Sequence, residues 1–153
     1  DLFAEFDILS ETEVHSRYEV KLEKYNKLIN IEARVMKRMA RRTYLPAINR
    51  YASEVAASVV AFKEAVVGAE TGAQEELLAD LLGIKEINVQ LKALGDACAT
   101  VEALEDELAK AKYNAHELLP IMEGLRAAVD AMEIITDRNH WPVPSYNNML
   151  FYV

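Results

Sequence analysis

S-E-T-E-V-H-S-R-Y-E-V-K-L-E-K-Y-N-K-L-I-N-I-E-A-R-V-M-K-R-M-A-R-R-T-Y-L-P-A-I-N-R-Y-A-S-E-V-A-A-S-V-V-A-F-K-E-A-V, residues 10–66, reads as one very long helix interrupted once. Its start carries a capping box. Ser10 can accept from the first free N–H groups while Glu13 reaches back to the cap, and Leu9 can pack on Val14 as a hydrophobic staple. Apolar residues then recur at Val14, Tyr18, Leu22, Tyr25, Leu28 and Ile29, at Met36 and Met39, and at Ile48, Ala52, Val55, Val59, Phe62 and Val66. That three-and-four spacing draws one buried stripe, and so long a stripe requires partner helices. Pro46 removes a backbone hydrogen bond and crowds the preceding turn, so a kink is expected near residues 42–45. Because the apolar pattern resumes at once, the expectation is a bent, continuous helix over about residues 11–66.

Before this helix, residues 1–9 (D-L-F-A-E-F-D-I-L) form a short apolar lead-in whose Phe3, Phe6 and Ile8 should dock on the bundle or on whatever precedes them. After it, Gly68 is a natural stop and G-A-E-T-G a tight connection. Thr71 with Gln74 repeats the capping-box logic and opens a second helix over about residues 72–113, with a stripe that includes Leu77, Leu81, Ile84, Leu91, Cys98 and Leu108. A short connection folds it antiparallel to the first. Gly83 and Gly95 lie in its interior, where each costs roughly 1 kcal/mol relative to Ala, and they point to close helix contact. Asn114 with Glu117 caps a third helix over about residues 115–136, with Pro120 in its first turn or at a second kink. The tail, residues 138–153, carries two prolines and is expected to be extended; its Trp141, Tyr146, Phe151 and Tyr152 need an apolar surface to cover them. The fold class is therefore all-α: an antiparallel bundle of three main helices, residues 10–137, between a lead-in and an aromatic tail.

A chain of 153 residues fits one domain or a helical segment of something larger; without an initiator Met or a signal-peptide pattern, an excised piece is expected. With 17 basic and 25 acidic side chains the formal charge is −8, which argues against nucleic acid or an anionic membrane surface as main partner. The longest uncharged apolar run near the middle, residues 55–62, falls far short of the roughly 18–20 residues of a membrane span. Cys98, the single cysteine, sits on an apolar stripe and reads as a small core residue. No Glu is followed three residues on by His, no H-E-x-x-H, C-x-x-C or glycine-rich phosphate loop occurs, and His15, His116 and His140 are scattered. No catalytic, cofactor or metal residue is assigned.

Two features remain as candidate interaction surfaces. Arg34, Lys37, Arg38, Arg41 and Arg42 place five positive charges within nine residues, with no acidic residue between Glu32 and Glu54. They either bind an acidic surface or a phosphate, or simply face solvent and the Glu102, Glu105, Asp106 and Glu107 run of the antiparallel second helix. Trp141, Pro142, Pro144 and Tyr146 either pack within the molecule or meet another subunit or domain.

Five segments resemble, in register, the C-terminal region of type III glutamine synthetases: S-E-T-E-V-H-S-R-Y-E from Ser10, N-I-E-A from Asn30, Y-L-P-A-I from Tyr44, L-L-P-I-M-E-G-L-R-A-A-V-D from Leu118 and W-P-V-P-S-Y-N-N-M-L-F from Trp141. Residues 69–112 carry little of the likeness. The resemblance implies a cytoplasmic, ATP-dependent ligase that makes glutamine from glutamate and ammonia, uses divalent metal (Mg or Mn), and assembles as a large homo-oligomer. It also implies that metal, nucleotide and glutamate ligands lie in an upstream catalytic domain. No catalytic residue carries over, and the isolated piece is predicted to be inactive. The expected role is structural: an assembly domain contacting the catalytic domain and neighbouring subunits through the arginine face and the Trp141 tail. The alternative is a free-standing helical interaction or ligand-sensing module.

Overall fold

The computed structural model describes residues 2–144 and 146–150, and all its regular elements there are helical. A short α1 (Leu2–Glu5) leads to α2 (Glu11–Met39). The capping box at its start is present: the Glu13 N–H donates to Ser10 Oγ at 3.3 Å and the Ser10 N–H to Glu13 Oε2 at 2.9 Å. The helix does not stop at Pro46. It widens into a five-residue π-helical turn, Ala40–Tyr44, and continues as α3 (Leu45–Ala65). Proline offers no N–H and its ring crowds the carbonyl four residues back; in a π turn each N–H reaches five residues back instead, as Leu45 does to the Ala40 carbonyl. The extra residue makes room for the ring without breaking the rod.

Gly68 takes φ +82°, a left-handed conformation open to glycine without strain, and turns the chain. The box expected at Thr71 is not formed. Thr71 makes no side-chain cap bond; its hydroxyl donates to Glu75 Oε1 at 2.9 Å, and Glu75 also holds Lys63 at 2.5 Å across the connection. The second rod is then broken: α4 (Gly72–Leu81) and α5 (Ile84–Ala103) meet at Gly83, where a Cβ would lie 3.0 Å from Met132 Cε. The close contact expected at Gly83 is real.

The expected helix over residues 72–113 and the expected start at residue 115 are both corrected. The chain leaves the helix at residues 104–106, and Asp106 caps α6 (Glu107–Tyr113) by accepting from the Ala109 N–H at 2.7 Å. A second π turn, Asn114–Leu118, joins α6 to α7 (Leu119–Ile135), again just ahead of a proline, Pro120. The tail differs too: after a turn at residues 137–140 and the Pro142–Pro144 stretch, residues 146–150 form a short helix, α8 (Tyr146–Leu150), rather than extended chain.

Three rods result. Asn26 of α2 lies against Glu107 and Asn114, Tyr44 lies near Glu133, and Glu54 of α3 meets His140, so the first and third rods run parallel. The second runs antiparallel, with Arg34 at Glu102 and Lys63 at Glu75. Ile48, Leu81, Ile87, Leu94, Leu118 and Leu125 are fully buried between them. Each such side chain contributes about 1.5–3 kcal/mol relative to exposure. Of the expected first stripe, Ile29, Ile48, Val55 and Val59 are buried, whereas Tyr18, Leu28, Met39, Phe62 and Val66 are exposed. The start of α2 extends past the beginning of α6, since Asn26 already lies at Glu107, and among the described residues no further rod lies against its outer side.

Candidate functional site

The arginine face divides. Arg34 Nη2 donates to Glu102 Oε1 at 2.6 Å across the first and second rods. Both side chains are more than half exposed, so this pair contributes about 0–1 kcal/mol. Lys37 is half-buried and its Nζ lies over Gly95, 3.2 Å from where a Cβ would stand. Arg38, Arg41 and Arg42 point to solvent, and among the described residues no ion pair reaches them. Of the acidic run expected to face this patch, Glu102 is the member with an ion pair to it among the described residues. Asp106 is used as a cap, and Glu107 is drawn inward.

The inward pull on Glu107 belongs to a polar network that local sequence reading missed. Asn26 Nδ2 donates to Glu107 Oε2 at 2.7 Å and to its carbonyl at 2.9 Å, Asn114 Nδ2 donates to Asn26 Oδ1 at 3.0 Å, and Lys110 pairs with Glu107 at 2.6 Å. The Lys110 ammonium, then the Asn26 amide, hold the Glu107 carboxyl below the usual carboxylate range. The partners are 81 and 88 residues apart in sequence. The only signal was polar residues at apolar-spaced positions.

The tail docks by two rings. His140 Nε2 lies 3.0 Å from Glu54 Oε1 and Nδ1 lies 3.2 Å from Asp137 Oδ1, while the ring rests on Tyr51 at 5.2 Å. Glu54, then Asp137, raise the imidazole pKa above its ordinary value. Trp141 stacks on Tyr44 with ring centroids 5.2 Å apart and planes 27° apart. Its Nε1 is enclosed and meets no acceptor among the described residues, a cost of about 1–3 kcal/mol that the stacking must offset. Burial, then Glu133 and Asp130, push the Tyr44 hydroxyl pKa upward. Pro142 and Pro144 are exposed; the Tyr146 side chain lies outside the described residues. The structure thus brings Trp141 to the π turn of the first rod, but sets neither it nor Pro142 beside Arg34.

Between α2 and α7 runs an apolar groove of about 510 Å³, bounded by Ile31, Val35 and Met39 on one side and Val129 on the other, and closed at one end by Val143 and Pro144. A second hollow of about 450 Å³ lies where Leu2, Phe3 and Leu9 meet Val14 and Tyr18. Phe6 and Ile8 of the lead-in remain exposed.

Comparison with known proteins places this architecture. Residues 1–63 match the family model described as the glutamine synthetase C-terminal domain. Over 99% of its length the chain is 28% identical to a glutamine synthetase of Butyrivibrio fibrisolvens, of which it covers 22%. Over 98% it is 29% identical to a type-3 glutamine synthetase of Dictyostelium discoideum, covering 21% of that protein. Over 94% it is 28% identical to a glutamine synthetase of Bacteroides fragilis, covering 20%.

The chain is similar to the C-terminal region of glutamine synthetases. The family expected from the five sequence segments is borne out, and the chain spans about a fifth of the length of the curated relatives it matches. Cys98 is buried and burial raises its thiol pKa, the reverse of what a nucleophile needs. Among the described residues no group of three or more His, Cys, Asp or Glu is placed to hold a metal ion, and no helix is long and apolar enough to cross a membrane.

Proposed function

We propose that this chain is the non-catalytic structural and assembly region of an ATP-dependent glutamate–ammonia ligase. The catalytic residues, the nucleotide and the divalent metal, Mg or Mn, belong in this reading to an upstream catalytic domain of a cytoplasmic enzyme. The observation that carries it is similarity running through 98–99% of the chain to proteins named glutamine synthetase while covering only 21–22% of them. Three packed rods with exposed Arg38, Arg41 and Arg42 at one face and a tail strapped over Tyr44 at another make a rigid body suited to holding neighbours. A few long helices can supply the roughly 1,000 Å² or more that a lasting interface requires.

The proposed contacts are Arg34, Lys37, Arg38, Arg41 and Arg42 on one side and Trp141, Pro142, Pro144 and Tyr146 on the other. Arg34 and Trp141 already have partners inside the molecule, so the weight falls on the outward arginines and the prolines. The test is deletion of this region from the full-length polypeptide, read by light scattering and by glutamine formation from glutamate, ammonia and ATP. Loss of the high-mass assembly is expected, and the isolated region should make no glutamine. An assembly of unchanged subunit number, or turnover by the region alone, overturns the reading.

A further inference from the structure

α2 presents a second apolar stripe, away from the core. Leu28, Ile31, Val35 and Met39 recur at spacings of three and four, and are 52%, 59%, 37% and 38% exposed. Four large apolar side chains in line on the outside of a helix form a contact seam rather than scattered surface residues. The groove between α2 and α7 extends this seam sideways, so its surface is indented and can receive a ridge.

The two edges of the seam carry opposite charge. On the groove side stand three carboxylates, Glu32 with Asp130 and Glu133 of α7, against one cation, Arg126, which pairs with Asp130 at 3.5 Å, so this edge stays acidic on balance. On the other side, toward the second rod that Arg34 reaches, stand Arg38 and Arg42, both exposed. The two charged edges lie at one level along the rods, because Asp130 and Glu133 border the same groove as Met39 and Tyr44.

A surface with one acidic and one basic edge, flanking an apolar line, is complementary to itself in one orientation only. A two-fold axis running along the rods lays the basic edge of one copy on the acidic edge of the other and the apolar line on itself. A two-fold axis running across the rods would stack acid on acid and base on base, which is unfavourable. The chemistry is that of a parallel helix pair whose flanking charges choose the orientation. We propose that α2 pairs side by side and parallel with α2 of a second copy of this chain, across the seam of Leu28, Ile31, Val35 and Met39. This deepens the assembly reading above and rests on it, by naming the surface and the orientation of one contact between subunits.

The experiment uses the full-length polypeptide. With Cys98 replaced by Ala, Ile31→Cys and Met39→Cys are oxidised separately and as a mixture, and disulfide-linked dimers are read on non-reducing gels. Parallel pairing brings each position to its own copy, so Ile31→Cys alone should cross-link. Antiparallel pairing centred on Val35 brings residue 31 to residue 39, so linkage only in the mixture overturns the proposal. Arg38→Glu should weaken association about tenfold and Arg38→Glu with Glu133→Arg, which spares the Arg126–Asp130 pair, should restore it; failure of the swap to rescue also counts against the parallel geometry. Val35→Arg, at a solvent-facing position that leaves the core intact, should lower the assembly mass. Unchanged mass with Val35→Arg overturns this surface, whereas the assembly reading itself falls only if removing the whole helical region leaves the subunit number unchanged.

Discussion

Ala40–Tyr44 and Asn114–Leu118 are one local device in two settings. Each is a five-residue π turn followed by Leu-Pro, Leu45-Pro46 in the first rod and Leu119-Pro120 in the third. In both, the first residue is buried, Ala40 at 1% and Asn114 at 0% exposure, and the next two face solvent. They part at the fifth residue, for Leu118 is sealed in the core while Tyr44 is half-buried beneath Trp141. A proline follows the backbone device in both; the neighbouring rod decides what the device carries. One turn is a core element and the other a docking platform.

The largest expected effect tests that contrast. Leu118→Ala should cost about 2–5 kcal/mol in urea unfolding, because a fully enclosed leucine leaves a cavity behind. Tyr44→Ala should cost less, losing mainly its share of an aromatic pair of about 0.5–1.5 kcal/mol beyond the area it covers. Equal losses would show that the two settings do not differ in kind. Next in size is Asn114→Ala, at about 1–3 kcal/mol, since Asn26 Oδ1 would lose the Asn114 amide donor inside the core. Asn26→Ala should cost a similar amount, and the two changes together should cost clearly less than their sum, because one hydrogen bond is counted in both.

How far this molecule could be read from its residues follows the same line. The Ser10–Glu13 box, the Gly68 turn, the three rods and the close approach at Gly83 all depend on neighbours in sequence or on simple periodicity, and they were legible. The start of the third rod was not. Asp106 and Asn114 are both good caps by type, and the choice between them is made by Asn26, 88 residues from Asn114. At Thr71 the hydroxyl goes instead to Glu75, which also pairs with Lys63 of the preceding rod. Periodicity said that α2 is apolar on a wide arc, but two stripes of the same spacing cannot be ranked until the partner rods are in place, so Leu28 and Met39 were assigned to a core they do not enter. In the candidate surface, one acidic partner of the arginines was legible in Glu102, while the stacking of Trp141 on Tyr44 joins segments that no local pattern connects.

Pro46→Ala and Pro120→Ala sharpen the comparison further. If proline alone held the π turns, alanine would let the helix tighten to the ordinary register. That tightening would rotate Ala47 and Ile48 out of the core they fully occupy, and Met122 and Leu125 likewise. Packing should therefore keep both π turns, with stability moving by no more than about 1 kcal/mol as lost chain stiffness and regained helix propensity offset each other. A structure of each variant reads the outcome: the Leu45 N–H should still reach the Ala40 carbonyl and the Leu119 N–H the Asn114 carbonyl, rather than the carbonyls of residues 41 and 115. Collapse of the turn at one site only would mean that the core pins the two registers unequally.

The smallest effect separates the platform from the core by pH. Glu54, then Asp137, raise the His140 pKa, so the charged imidazole's contribution is fully present below the ordinary histidine value of about 6.5 and is lost as pH rises through the raised folded value. His140, then the Asn139 N–H, lower the Asp137 pKa, so its contribution is present above the ordinary carboxylate value and is lost as pH falls through the depressed one. Tail docking should therefore be firmest in the weakly acidic range and loosen first on the alkaline side. Trp141 is the single tryptophan, so its emission reports that docking directly. Emission should shift toward the solvent-exposed wavelength as pH climbs above neutral, at a temperature where the core stays folded. His140→Gln should abolish the alkaline limb, and Glu54→Gln should move it to lower pH. Because Leu118 and Asn114 lie at the other turn, far circular dichroism of the bundle should not follow the titration; if it did, strap and core would be one cooperative unit and the two settings would not be independent.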